Sequence, residues 1–345
     1  MGVNLKDLFE RSEITIESLS GKVIAIDSFN MIFQFLSTIR GRDGSLLKDS
    51  GGNVTSHLVG LFSRTAHLML AGVKPVFVFD GKAPLLKQKE QLRRLSLKKE
   101  AEKEYALAAE KGDVEGMRKF AARSIYVDER MIVNAKKLIS LLGLPVVQAP
   151  SEGEAQAAHI VKQGNAWAVG SQDYDSLVHG AFCLIQNLSI AGKRKHPKTL
   201  AYKLVSPELI ELKKNLERLG ISQKQLISLA MLVGTDYNPG GIKGIGPQKA
   251  LKMVREFKKP DDLFAEVKWS EHCDVAWQDI FWLFEKMPVT DDYDIEFSKI
   301  DPDTLTKFLV DEHDFGSERV LSFVKNIELF QESKKQKGLS AFFNQ

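Results

Sequence analysis

Cysteine is scarce in this chain: Cys183 and Cys273 are the only two in 345 residues. Two thiols cannot build a Cys-rich metal site or a disulfide framework, so the pattern excludes a disulfide-stapled secreted domain and fits a reducing interior. Net charge is small as well, only +3, so a strongly basic surface has to be local. Apolar runs of membrane length are missing; "LISLLGLPVV" is broken by Gly143 and Pro145. The opening "MGVNLKDLFE" has no basic-then-apolar signal pattern, and Lys6 stands where a myristoylation site needs Ser or Thr. No membrane association is expected. There is no internal repeat. What remains is 43% hydrophobic and 27% charged, the balance of an ordinary globular protein. The length allows one large α/β domain or two intimate lobes.

The apolar runs are β-branched and end in acid. "KVIAID" (22–27) and "KPVFVFD" (74–80) each close on Asp, and "GLPVV" (143–147) and "NAWAVGSQD" (165–173) flank a helical pattern, "EAQAAHIVKQG", closed by Gly164. Continuous hydrophobic strands separated by helices predict a mostly parallel sheet with helices on both faces. In such sheets the ligand crevice lies at the carboxyl ends of the strands. Asp27, Asp80, Glu152, Glu154, Asp173 and Asp175 all fall at such ends or just past them. Right-handed crossover makes the strands before Glu152 and before Asp173 parallel, so both acidic pairs face one rim. Asp236 follows the apolar helical stretch "QLISLAMLVG". A purely structural role exists for one pair, since Ser151 and Glu154 in "APSEGEAQAA" fit a capping box and suit a helix dipole.

Seven carboxylates on one rim repel. Two unit charges 4 Å apart cost about 4 kcal/mol at an effective dielectric of 20. Oxygen ligands without nearby His or Cys select hard divalent ions, Mg²⁺ or Mn²⁺, over zinc. Two such ions about 4 Å apart support in-line phosphoryl displacement, which points to phosphodiester hydrolysis. "SQDYDS" also has the D-x-D spacing of haloacid-type phosphatases, but there the pair belongs on the first strand.

Two further segments suggest a nucleic-acid substrate. Residues 82–124 carry twelve Lys/Arg against seven Asp/Glu, in a long helix pattern that sets Lys87 and Arg94 seven residues apart on one face. The leucines at 85, 86, 92, 95 and 97 exceed what a solvated helix needs, as in a cap or arch with a contact face. "YNPGGIKGIGPQKAL" (237–251) combines a Gly-rich turn, Pro247 at a first helical position and Lys249. Backbone N–H groups at such a helix start suit a phosphate. The doublet "GIKGIGPQKA" (Gly241, Lys243, Gly244, Gly246, Lys249) is similar to hairpins that hold duplex backbones without reading sequence. "AGKRKHPKTLAYK" is expected to be a basic hairpin or loop, and residues 260–330 mixed helical segments.

Taken together, "AIDSFNMIFQFL", "TSHLVGLFSRT", "KPVFVFDGKAPLLK", "APSEGEAQAA", "VGSQDYDSL", "LVGTDYNPGGIKGIGPQKA" and "QKGLSAFF" resemble the flap endonucleases of the XPG family of structure-specific 5′ nucleases, of the archaeal and eukaryotic kind. The likeness implies cleavage of 5′ single-stranded flaps near the duplex junction, with 5′→3′ exonuclease activity, in DNA replication and repair. By the same likeness Asp27, Asp80, Glu152, Glu154, Asp173, Asp175 and Asp236 hold two Mg²⁺, with Mn²⁺ able to substitute. Lys87 and Arg94 take the place of a basic pair at the arch base, expected to steer and polarise the scissile phosphate. Gly2, Arg40 and Arg64 lie where the family meets DNA, and the helix–two-turn–helix at 234–255 holds downstream duplex with a K⁺ on its turn carbonyls. Phe33 replaces the stacking Tyr of eukaryotic members; the π-face stays and the hydroxyl is lost.

The ending of the chain fits Q-x-x-L-x-x-F-F through Gln336, Leu339, Phe342 and Phe343, which in the family binds the sliding clamp PCNA. A 3₁₀ turn would bring Leu339, Phe342 and Phe343 into one apolar plug after a polar linker, "ESKKQK"; the competing arrangement folds this tail back on the core. The expected organisation is a nuclease core over 1–330 and a tail over 331–345. Within the core, the N-terminal part covers about 1–101, the arch 82–125, the internal part 120–258 and a helical remainder 259–330. A monomeric, cytoplasmic protein of prokaryotic type is expected, because the basic nuclear extension of eukaryotic members is missing. Rival functions are a catalytically silent junction-binding scaffold for the clamp and a PIN-type ribonuclease. The latter would lack the arch and the Gly-rich duplex grip.

Overall fold

Alternation along two central strands sets the layers. The strands are β1 (Ser12–Glu13), β2 (Val23–Asp27), β3 (Lys74–Phe79), β4 (Val146–Gln148), β5 (Ala168–Gly170), β6 (Cys183–Gln186), β7 (Gly192–Lys195), β8 (Tyr202–Val205) and β9 (Glu208–Glu211). The helices are α1 (Ser28–Thr38), α2 (Ser56–Leu70), α3 (Gln88–Glu110), α4 (Val114–Ala121), α5 (Glu129–Leu141), α6 (Gly153–Lys162), α7 (Asp175–Val178), α8 (Leu212–Leu219), α9 (Gln223–Val233), α10 (Pro247–Glu256), α11 (Pro260–Glu266), α12 (Trp277–Glu285), α13 (Pro302–Thr306) and α14 (Ser317–Phe343). This computed structural model describes residues 2–121, 123–189, 192–195 and 202–343, with side chains left undescribed at 192–195, 202–204 and 331–343.

Ile24, Ile26, Phe77 and Phe79 bury into one core, against Phe35 of α1, Leu58 of α2, Leu138 of α5 and Phe323 of α14. Ala25, Val76 and Val78, one residue out of phase, bury into the other, against α6, α9, α10 and α12. The period of two sends successive side chains to opposite faces, and burying each large one stabilises by about 1.5–3 kcal/mol. The sheet has seven strands in the order β1-β9-β6-β5-β2-β3-β4. Its centre is parallel, with Asp27 beside Val78 and Ile26 beside Gly170. β9 runs antiparallel to β6 and β1. β4 and β5 are parallel, as expected, with β3 and β2 between them. β4 starts later than "GLPVV" suggests, because Gly143 adopts φ +71° in the turn that ends α5.

The basic segment forms the expected arch. A 3₁₀ turn at Leu85–Lys87 leads into α3, and α4 returns against it. Leu85, Leu92, Leu95 and Leu97 are exposed on this element. Arg118 of α4 donates from Nε to the Arg42 carbonyl at 2.6 Å, which docks the arch on the turn closed by the Arg40–Leu46 bridge. β7 and β8 form a two-stranded hairpin in the segment read as hairpin or loop. The reading of "ESKKQK" (332–337) as a linker and of a 3₁₀ turn beyond it is corrected: α14 continues unbroken to Phe343. "ESKKQK" is made of residues with good helix propensity and contains no Pro, so the helix propagates through it. The side chains of Gln336, Leu339, Phe342 and Phe343 lie outside the described ones. Among the described residues no helix is long and apolar enough to cross a membrane.

Candidate active site and nucleic-acid interface

All seven predicted acids reach one rim of the sheet. Asp27 ends β2 and caps α1, accepting from the Asn30 backbone N–H at 3.0 Å and from Ser171 Oγ at 3.1 Å. Asp80, just past β3, accepts the Gly153 N–H at 2.6 Å. A Cβ on Gly153 would meet Asp80 Oδ1 at 2.6 Å, so only glycine lets the start of α6 come this close. Glu152 is the N-cap residue of α6, and Glu154 sits in its first turn. Asp175 opens α7 and accepts the Val3 N–H at 3.0 Å. Asp173 accepts from Asn30 Nδ2 at 2.8 Å. Asp236 stands in the turn between α9 and α10.

The capping box is not formed. Glu152 occupies the cap without a side-chain capping bond, and Ser151 donates to the Lys82 carbonyl at 3.1 Å. Both carboxylates at the start of α6 thereby remain available to the rim.

Electrostatics tie the acids into one cluster. Burial, then the neighbouring Asp80 and Asp173, push Asp27 up to about 7. Burial and Asp173 push Asp175 up to about 7, and burial and Glu152 push Asp80 up to about 6. Glu154 is held well above its ordinary value by burial and then by Asp175. Such shifts mean that the negative charge is uncompensated from within the sheet. Compensation comes from the arch. Lys87 pairs with Glu152 and lies 3.2 Å from Asp236, while Arg94 pairs with Asp236 and with Glu90 at 2.7 Å. Burial works against the charge on Lys87, but Glu152, Glu154 and Asp236 outweigh it and raise its pKa.

The donor set is oxygen only, as a hard cation requires. Lys87 Nζ shows that a positive centre is already drawn to Glu152 and Asp236. Among the described residues no three of these acids converge as a ready-made ligand set. The rim therefore fits divalent ions in chemistry and charge, and the cationic arch side chains share its carboxylates.

Several contributors were not singled out from the sequence. Asn30 and Ser171 are neutral residues that hold acids in place. Glu90, buried on the arch base, grips both Arg93 and Arg94 and is held down to about 2, first by the hydrogen bond from Arg93. Tyr237 is buried beneath the acids, and its hydroxyl pKa is raised by burial and then by Glu152. Asn30 and Tyr237 lie three residues and one residue from acids, the only sequence signal they carry.

The DNA-facing expectations map as follows. Gly2 packs against Asp175 and Asp173 so tightly that a Cβ would collide with both. Phe33 on α1 is 37% exposed beside the rim helix, with Lys98 Nζ 5.5 Å from its ring centroid. Arg40 is tied down, donating to the Gly44 carbonyl at 2.7 Å. Arg64 is partly buried on α2, which lowers its pKa. In the Gly-rich turn, Gly241 and Gly244 take φ +57° and +82°, Gly246 caps α10 and Pro247 is its first residue. Lys243 and Lys249 are exposed there.

Comparison with known proteins agrees with this geometry. The XPG N-terminal domain matches residues 1–101 and the XPG I-region matches residues 143–236. Flap endonuclease 1 of Pyrococcus abyssi is 50% identical over 343 residues, covering 99% of this chain and 98% of that protein. The Pyrococcus furiosus counterpart is 49% identical, covering 99% of each. Among solved structures, flap endonuclease-1 from Methanococcus jannaschii superposes with a TM-score of 0.75 at 40% identity, over 96% of this chain and 100% of that one. The catalytic core of Rad2, solved with a DNA substrate, shares the fold with a TM-score of 0.69 at 23% identity, over 95% of this chain and 100% of that one.

Proposed function

Because the chain belongs to the flap endonucleases of the XPG family, a structure-specific, metal-dependent class of phosphodiester hydrolases, we propose that Asp27, Asp80, Glu152, Glu154, Asp173, Asp175 and Asp236 hold two Mg²⁺ ions and that cleavage falls on 5′ flaps beside the duplex junction. The observation that carries this is that seven carboxylates line one rim where burial and their mutual closeness raise the pKa of Asp27, Asp80, Glu154 and Asp175, beneath a cationic arch that pairs with Glu152 and Asp236. Held by these carboxylates, divalent ions would supply the Lewis-acid charge that favours an attacking hydroxide and offsets charge on the scissile phosphate and its leaving oxygen.

The chain's own groups do the rest. Lys87 Nζ and the Arg94 guanidinium, now paired with Glu152 and Asp236, are positioned to turn to phosphate oxygens once those carboxylates are engaged. Charge stabilisation by donors already aimed at the developing charge is typically worth 10²–10³ in rate. Phe33 offers a ring on which an unpaired base stacks. Gly241, Ile242 and Ile245 spend their N–H groups on carbonyls within the turn and α9, so it is the N–H groups of Lys243, Gly244 and Gly246 and of the start of α10 that take phosphates of the downstream duplex, which fixes register without reading sequence. A K⁺ at the carbonyls of this turn would add a positive centre between protein and phosphate.

The Q-x-x-L-x-x-F-F pattern supports binding of PCNA, since Leu339, Phe342 and Phe343 at i, i+3 and i+4 share one helical face. The scarcity of cysteine supports a reducing, cytoplasmic setting for an enzyme of replication and repair, here taken to act as a monomer. The deciding experiment incubates protein with labelled flap, gapped and plain duplex DNA, with Mg²⁺ and with EDTA. Preferential Mg²⁺-dependent cleavage of the flap is expected. Tight flap binding without cleavage would instead make the protein a junction scaffold.

A further inference from the structure

Asn30 joins two acids that belong to different strands. Its backbone N–H donates to Asp27 Oδ1 at 3.0 Å, a capping bond any residue would make. Its side chain does something more specific. Nδ2 donates to Asp173 Oδ2 at 2.8 Å, and Oδ1 accepts the Gln172 N–H at 3.2 Å. One neutral amide thus grips the carboxylate and the preceding peptide of the β5–α7 loop, while its own helix starts from Asp27. Ser171 completes the bridge, donating from Oγ to Asp27 Oδ2 at 3.1 Å and accepting the Asp173 N–H at 3.3 Å.

Asp173 and Asp27 repel, and the β5–α7 loop has no strand or helix of its own to resist that repulsion. A carboxylate that accepts from no donor and is free to rotate would turn outward. A donor on Oδ2 stops that rotation and leaves Oδ1 free for a ligand. The amide suits this task because it offers a donor and an acceptor with no charge. An acid would add repulsion, and a lysine would neutralise the charge the cation needs.

We propose that Asn30 is a positioning residue: it orients Asp173 toward Asp27 and so sets the affinity of the rim for divalent cations. The inference rests on the metal-site reading above. It extends that reading to a residue that touches neither cation nor substrate. Groups that orient metal ligands typically contribute 10–100-fold to metal affinity.

The test measures Mn²⁺ binding by calorimetry without DNA, beside single-turnover flap cleavage over a range of Mn²⁺. Asn30→Leu removes both side-chain bonds while keeping the branched outline of the side chain. It should bind Mn²⁺ about tenfold more weakly and cleave slowly at low Mn²⁺. High Mn²⁺ should recover most of its rate, and flap affinity in EDTA should stay within twofold. Because a bound metal also stabilises a fold, denaturant unfolding in EDTA separates the two causes: a midpoint close to wild type is expected for Asn30→Leu. Asn30→Asp, which fits the same space, keeps the acceptor for the Gln172 N–H and sets a charge against Asp173. It should cleave at least tenfold more slowly at saturating Mn²⁺. An unchanged Mn²⁺ isotherm for Asn30→Leu, or a wild-type rate for Asn30→Asp, overturns the inference. If wild type itself binds no Mn²⁺, it is the metal-site reading that has failed.

Discussion

Nζ of Lys87 lies 3.2 Å from Oδ2 of Asp236 and also pairs with Glu152, so one arch lysine bridges two separate segments of the acidic rim. The lysine and a divalent ion want the same oxygens. Without cations, Lys87 lowers the cost of assembling the rim; in the proposed metal-bound state it would be released to serve the phosphate.

Removing that lysine should therefore split two properties that usually move together. Lys87→Ala should bind Mn²⁺ about tenfold more tightly, since a unit charge some 4 Å away is worth on the order of 1–4 kcal/mol. Its single-turnover cleavage should nevertheless fall by about 10²–10³. Calorimetry and rapid-quench assays read the two quantities, and a variant that loses both metal affinity and rate contradicts the competition.

Stability should fall in mild acid through His57. This residue is fully buried in α2, and burial depresses its pKa from 6.5 to about 4. A base with a depressed native pKa stays neutral in the fold while the unfolded chain takes up a proton, so between about 6.5 and 4 the unfolded state binds more protons and stability drops with pH. The expected loss between pH 7.5 and 5 is about 2 kcal/mol. Denaturant unfolding of wild type and His57→Gln at both pH values checks this. The variant should lose less on acidification, and identical losses would show that His57 does not titrate as stated.

The Gly-rich turn has one position with no room. Gly241 takes φ +57°, and an added Cβ would collide with the backbone of Leu232 and Val233. Gly241→Ala should therefore shift the turn and weaken duplex binding by a similar factor for every sequence tested, because backbone contacts to phosphate carry no base information. Fluorescence anisotropy across several duplexes measures it; a sequence-dependent loss would mean that bases are read.

The tail should act on PCNA alone. Replacing both Phe342 and Phe343 by Ala should weaken clamp binding at least tens of fold, as truncating buried aromatic anchors costs about 2–4 kcal/mol each. Flap cleavage without clamp should remain at the wild-type rate. Loss of that intrinsic rate would show the tail packed on the nuclease core.

Much of this was legible from the chain itself, for a definite reason. Asp27, Asp80 and Asp173 follow apolar β-branched runs, and in a parallel sheet a strand's end is also its place on the rim. Pro247 after a Gly-rich turn announced α10 in the same local way. What could not be read was what depends on contacts far apart in sequence. Asn30 reaches Asp173 across 143 residues and Arg94 reaches Asp236 across 142, and neither spacing leaves a local pattern. Ser151 shows the opposite error: a good local capping pattern was overruled because its hydroxyl found the Lys82 carbonyl instead. The continuation of α14 to Phe343 likewise followed helix propensity where polarity had suggested a linker.

On the proposed mechanism the rim acts through cations held by its carboxylates. Asp175→Asn tests it most directly, because the change keeps the shape and the acceptor for the Val3 N–H while removing one ligand charge. Single-turnover cleavage of a labelled flap in saturating Mg²⁺ should fall by at least about 10³, since the lost charge is needed mainly in the transition state. Flap affinity measured in the same buffer should stay within a few-fold, because phosphate contacts elsewhere supply it. Cleavage at the wild-type rate by Asp175→Asn would contradict the account.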